Sequence, residues 1–215
     1  MNTNVSDTLN VTDGVHNAEL MLKARKSLKA KWGLAIVACL VSWVFSLLSQ
    51  IPFIGLLVAI ILGPQIWIGI SSFYLSIARN QNSKLEQLFE TFKDGNKIGT
   101  AIGAYLLMIL FLFLGFLCLI IPGIILSFAF VLTPYIIVDN DKIGPYDAIM
   151  KSYNTMNGYK WKYFCMMCRF IGWGLLSLIS LGIGFLWLIP YIGVSTANFY
   201  NDIMKNKKIS EQSLE

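Results

Sequence analysis

Apolar positions in this chain gather in three long runs, at about residues 32–78, 98–138 and 163–200, separated by polar segments. A bilayer core about 30 Å thick asks for roughly 20 apolar residues per crossing helix, and each run holds close to two such stretches. Near its middle each is interrupted by an uncharged turn: "SQIPFIG" at 49–55, "LIIPGII" at 119–125 and "SLGIGF" at 180–185. The pattern predicts six helices over about 32–49, 54–78, 98–119, 123–138, 163–181 and 184–201. At ~1.5 Å per residue these reach roughly 24–37 Å, enough to cross rather than dip in and return.

A shorter pattern precedes each hairpin. Leu85, Leu88, Phe89 and Phe92 fall at helical spacing behind a capping box, "SKLE" at 83–86. Tyr146, Ile149, Met150, Tyr153 and Met156 do the same after Pro145, a residue suited to a helix start. Met21, Ala24, Leu28 and Trp32 trace a weaker stripe on a basic segment. The hairpins then open near Lys31, Lys97 and Lys162. The predicted fold is all-α and polytopic: six transmembrane helices as three pseudo-repeated hairpins (about 32–78, 98–138 and 163–201), each preceded by a short amphipathic interfacial helix. Residues 1–17 read as a disordered cytoplasmic tail, 18–205 as one membrane domain and 206–215 as a second cytoplasmic tail.

The second helices carry a repeated polar stripe. "GPQIWIGISSFYLSIARN" (63–80) returns as "IPYIGVSTANFYNDIMKN" (189–206), and Pro64, Pro134 and Pro190 align the three. Gln65, Gly69, Ser72 and Ser76 share one face after Pro64; Tyr191, Ser195, Asn198 and Asp202 share the matching face after Pro190; Tyr135 and Asp139 begin it after Pro134. Polar residues in membrane helices turn toward other helices or a wet cavity. Gln65, Ser72, Tyr135, Tyr191, Ser195 and Asn198 are therefore candidates for an inner face. The stripe is either interhelical contact, at about 0.6 kcal/mol per bond, or the lining of a ligand site at the repeat interface. The absence of a buried charge cluster favours contact. "GTAIG" (99–103) and Gly172, Gly174 and Ser177 predict close helix packing.

Composition sharpens the class. The chain is 56% hydrophobic and only 13% charged, against about 25% charged in soluble domains. Its seventeen Lys and Arg residues fall before the first run, between the first and second, around or just inside the start of the third, or after it, and the mid-run turns have none. Short loops rich in Lys and Arg stay in the cytoplasm, which places both termini and both long loops there. Arg169 alone enters an apolar run, near its cytoplasmic edge, where its side chain can snorkel to the headgroups. The first thirty-one residues lack the apolar centre of a signal peptide, so the first helix is expected to serve as an uncleaved anchor. The net charge of +5 follows from this layout. It implies contact with an anionic leaflet and requires no nucleic acid.

Chemistry is thin. The single histidine, His16, lies in the polar tail, and the twelve carboxylates sit in loops or at membrane edges. No positioned base, nucleophile elbow or phosphate loop is present. "CMMC" (165–168) has metal-like spacing but no second ligand pair; with Cys39 and Cys118 its thiols read as small packing groups. The expectation is a protein without catalytic activity, cofactor or metal.

"ARKSLKAKW" (24–32), "LIIPGII" (119–125), "PYIIVDN" (134–140), "FIGWGLLSLISLGIGFLWLIPY" (170–191) and "TANFY" (196–200) resemble a bacterial membrane family, domain of unknown function 975, over about residues 20–205. More distantly, the chain is similar to the membrane domain of some glycerophosphodiester phosphodiesterases, whose catalytic barrel it lacks. The resemblance implies a fold and a compartment, the bacterial cytoplasmic membrane, and no reaction. An accessory or scaffold protein is the leading functional expectation, with membrane lipid, another membrane protein or a second copy as partner. A transporter or lipid-handling protein using the polar stripe is one alternative, and a self-immunity protein against membrane-active peptides is another.

Overall fold

The computed structural model describes residues 15–29, 31–51 and 54–212. Among these every regular element is helical. The order is α1 (Asn17–Leu28), α2 (Trp32–Leu48), α3 (Ile54–Leu57), a π-helical turn (Val58–Leu62), α4 (Gly63–Ala78), a 3₁₀ segment (Leu85–Lys93), α5 (Gly95–Cys118), α6 (Ile120–Phe130), α7 (Thr133–Asp139), α8 (Pro145–Thr155), α9 (Lys160–Ile179) and α10 (Phe185–Gln212). The predicted tail over 1–14 lies outside the described residues. Residues 15–17, read as part of that tail, are bound. Val15 N–H donates to both Asp202 carboxylate oxygens at 3.2 Å, and Asn17 Nδ2 to the Lys162 carbonyl at 2.7 Å. His16 is more than a solvated tail residue: its Nδ1 accepts from Ala18 N–H and caps α1. At the other end α10 runs on through Gln212, past the predicted boundary at 201.

The three aligned prolines act differently. Proline lacks a donor, and its ring clashes with the carbonyl four residues back, so the helix ahead of it must give. Ahead of Pro64 the chain widens into the π turn; ahead of Pro134 it breaks at Val131 and Leu132. Pro190 sits near the start of α10, which continues through it.

Each interfacial element departs from its predicted stripe for a physical reason. α1 buries Leu20, Ala24 and Leu28 rather than Met21, and its axis turns by 97° into α2. The segment before α5 is 3₁₀ rather than α. Its three-residue period aligns Leu85, Leu88 and Thr91 against the protein and leaves Phe89 exposed. The predicted capping box does not form; Ser83 Oγ instead bonds to Ser76 Oγ at 2.8 Å and Lys31 Nζ at 3.1 Å. α8 is rotated: Ala148, Ile149, Ser152 and Thr155 are buried, while Tyr146, Met150 and Tyr153 face outward. The hydrogen bond from Ser152 Oγ to the Ala129 carbonyl, 2.8 Å, fixes that face.

These elements pack across hairpins. α1 lies on α10, the 3₁₀ segment on α4, and α8 on α5, α6 and α7. In the middle α4 packs against both α7 and α10, and Phe73, Tyr135, Ile136, Phe199 and Tyr200 fill the space between them. Around this centre α2, α5 and α9 turn apolar side chains outward, among them Leu47, Leu117 and Ile179.

Among the described residues, four stretches are long and apolar enough to cross a membrane: Val58–Ala78, Gly95–Leu117, Ile120–Asp139 and Lys160–Ile179. The bent α1–α2 pair would make a fifth. α2 itself is 17 residues long, and α10 turns polar beyond Val194, with Ser195, Thr196, Asn198 and Asp202 following in quick succession. These two features separate the count from the six crossings that the apolar runs predict. Only 17% of the most apolar window of Gly95–Leu117 is buried. That is the exposure of a helix meant for an apolar solvent, not water.

Candidate functional site

Polar groups gather at one end of the central helices. Arg79, just past the end of α4, forks onto Asp139 at the end of α7, with Nη1–Oδ1 at 2.8 Å and Nη2–Oδ2 at 2.6 Å. Its Nε donates to Asn201 Oδ1 at 3.1 Å, and the Tyr200 hydroxyl donates to Asp139 Oδ2 at 3.0 Å. Tyr200 also stacks on Tyr135, ring centroids 5.7 Å apart. Side chains following α4 and on α7 and α10 thus share one network. The Asp139 carboxylate hydrogen-bonded to Arg79 raises the guanidinium above its ordinary value. Further round the same end, Lys162 reaches Asp202 at 3.3 Å. Lys97 pairs with Asp141 at 2.6 Å, which holds that exposed carboxyl below its usual range.

The sequence-predicted stripe does not converge on one cavity. Gln65 is buried and turns to α5, its Nε2 lying 3.4 Å from the Ile98 carbonyl. Gly69 backs directly onto the Leu88 backbone, and Ser76 bonds Ser83 and Gln87 at 2.8 and 2.9 Å. This side of α4 is therefore the seat of the 3₁₀ segment. Ser72 beside it is half-buried. Tyr135 donates to the Gly193 carbonyl at 3.2 Å, which is an interhelical bond. Ser195 and Asn198 are buried on α10, and Ser195 Oγ and Asn198 Nδ2 have no partner among the described residues. Tyr191 is half-buried, its ring edge-on to Phe170 at 5.2 Å.

Tyr191 and Arg169 are two predicted residues that the fold brings to one space. Both line a recess with Arg25, Trp173, Met21 and Leu22, which adjoins a second, mostly apolar cleft between α1, α2, α9 and α10. Of the small residues expected to mark close packing, Gly103 has no room for a Cβ against the Pro145 ring, while a Cβ at Gly174 would make only ordinary contact with Leu188. Gly99 and Gly172 correct that expectation, since a Cβ at either would meet nothing within 4 Å. Among the described residues no three His, Cys, Asp or Glu side chains gather as a metal site.

Sequence reasoning missed the Arg79–Asp139–Tyr200–Asn201 network. Its signal was present: Arg79 and Asp139 are opposite charges closing two neighbouring apolar helices that begin at aligned prolines.

The helices, their outward apolar faces and the polar tie at one end define an all-helical protein of the membrane-spanning class. The model of the family described as Protein of unknown function (DUF975) matches residues 104–207, and this chain carries that family's region there. The match takes in most of the second and third hairpins, including Asp139, Arg169, Tyr191 and Tyr200. No curated protein and no solved structure matches the chain.

Proposed function

We propose that this protein is a non-catalytic accessory or scaffold protein of the bacterial cytoplasmic membrane, with six spans in three pseudo-repeated hairpins and both termini in the cytoplasm. The observation that carries the reading is the tie of Arg79, Asp139, Tyr200 and Asn201. It fastens all three hairpins at one end, where an alternating-access device needs repeats that rock against each other. The bare apolar flanks of α2, α5 and α9 then serve lipid or a partner's helices.

The topology is supported by the same charged end, where Lys31, Arg79, Asp139, Lys162 and Asp202 collect, with the uncharged turns opposite. Substituted-cysteine labelling of intact cells, in a chain freed of its native cysteines, tests it. Ile121→Cys, exposed in the first turn of α6, is expected to label from outside, and Gly95→Cys, which has open space around it, to stay protected. Ile121 is the better site than nearby Gly123, where a side chain would strike the Phe116 ring. The reverse pattern would overturn the orientation.

The accessory role is tested by native mass spectrometry of protein extracted gently with its own lipids. A second membrane protein at fixed stoichiometry is the expected result. A chain that leaves the membrane only alone, over a range of mild detergents, would refute the role.

A further inference from the structure

Of the three arginines, Arg79 is tied to Asp139 and Asn201, and the other two are not. Among the described residues, Arg25 on α1 and Arg169 on α9 make no ion pair and no hydrogen bond through their guanidinium groups. Both line the same recess, about 370 Å³, with Trp173 and Tyr191. Arg25, Trp173 and Tyr191 also line the neighbouring cleft of about 360 Å³, so the two spaces share a wall and read as one slot. The rest of the slot is apolar, walled by Trp32, Leu176, Trp187 and Leu188, and Ser177 and Ser180 lie at its far end.

The two halves ask for different chemistry. Two guanidiniums with no carboxylate in the lining beside them suit an anion, and their forked donors match phosphate oxygens. The Tyr191 hydroxyl lines the same mouth, its ring set by Phe170. The apolar half suits a hydrocarbon chain. From Arg169 to Ser180 the chain climbs roughly 16 Å at ~1.5 Å per residue, about one leaflet of a ~30 Å bilayer core. Trp173 and Trp187 stay about half exposed, at 57% and 47%, so the slot opens sideways. A free phosphate would occupy the mouth and leave the slot bare.

We propose that this slot holds one anionic phospholipid, with its phosphate between Arg25 and Arg169 and one acyl chain along Trp32, Trp173 and Leu188. The inference rests on the membrane placement proposed above. In that pose the lipid bridges α1 to the third hairpin and lends the interfacial helix a second anchor beside the Val15–Asp202 contact.

The test uses the full chain in neutral detergent, so it does not depend on the number of spans or their direction. Thermal unfolding and native mass spectrometry are run with dioleoylphosphatidylglycerol, dioleoylphosphatidylcholine or sodium phosphate. The expected result is one retained phosphatidylglycerol, bound about tenfold more tightly than phosphatidylcholine because the choline cation offsets the attraction of that lipid's phosphate to the two arginines, with a raised Tm. Sodium phosphate alone is expected to leave Tm unchanged. R25Q/R169Q is expected to abolish the preference, while K84Q/K93Q, with the same loss of charge elsewhere, keeps it. Leu176→Trp, which narrows the slot, is expected to weaken both lipids. Equal binding of the two lipids, or a preference intact in R25Q/R169Q, would overturn the proposal. So would an equal Tm shift from sodium phosphate, which would make this a site for a free anion. Arg169 is exposed, so R169Q alone decides the matter should the double variant fail to fold.

Discussion

Gly69→Ala is expected to destabilise the detergent-purified protein by about 3 kcal/mol, a large effect for one methyl group, because the overpacking falls on backbone. A Cβ at Gly69 would meet the carbonyl group and Cα of Leu88, not the flexible end of a side chain. The 3₁₀ segment cannot step back cheaply. Leu88 and Thr91 are buried, and Ser76 holds Ser83 and Gln87 from the same helix. Gly172→Ala, on α9 with open space around its Cα, is the matched control. There the lower backbone entropy of alanine should leave stability level or raise it by about 0.5–1 kcal/mol. Thermal unfolding of both variants in one detergent makes the comparison. Equal behaviour would mean that the 3₁₀ segment does not seat on α4 as described.

Asp139→Ala is expected to cost about 2 kcal/mol, since it strands both the Arg79 fork and the Tyr200 hydroxyl. The pair is partly exposed, side chains 34% and 26% accessible, so solvent limits the loss to less than that of a buried ion pair. Arg79→Ala should cost a similar amount and the double variant little more than either, because the three groups act together. Arg79→Lys should recover only a minority of the loss, as an ammonium cannot span both carboxylate oxygens and reach Asn201. Strictly additive single losses in the double-mutant cycle would remove the tie as a unit, and with it the main support for a fixed accessory body.

The two tests bear on different parts of the proposed role. Gly69 reports whether the segment between hairpins is seated in the fold, and Asp139 reports whether the hairpins are locked. A protein that passes both is a rigid block with apolar flanks, suited to holding something beside it. The lipid slot between α1 and α9 is independent of either, because neither Arg25 nor Arg169 belongs to the tie.

Much of this was legible in the residues. Run length and the turns "SQIPFIG", "LIIPGII" and "SLGIGF" located the long helices to within a few residues, apart from the far end of α10, which passes the predicted 201 and reaches Gln212, because hydrophobic length and turn chemistry are local properties. The interfacial segments were legible as segments, not as faces. Their buried sides depend on what they lie against: Ser152 faces inward because the Ala129 carbonyl is there, and Phe89 faces outward because a 3₁₀ period carries it round. Small residues misled for the same reason. Gly69 and Gly172 look alike in sequence, yet one touches a neighbouring backbone and the other touches nothing.

The sequence by itself determined the apolar helices, the uncharged turns within the apolar runs and the gathering of charge between those runs, since burial in hydrocarbon is set by composition and length. Only the tertiary structure decided which polar groups meet. Arg79 finds Asp139 sixty residues on, Gln65 and Asn198 point to different neighbours, and Arg25 comes to Arg169 from the far end of the chain. Such contacts depend on how helices cross in space, and no local periodicity encodes that.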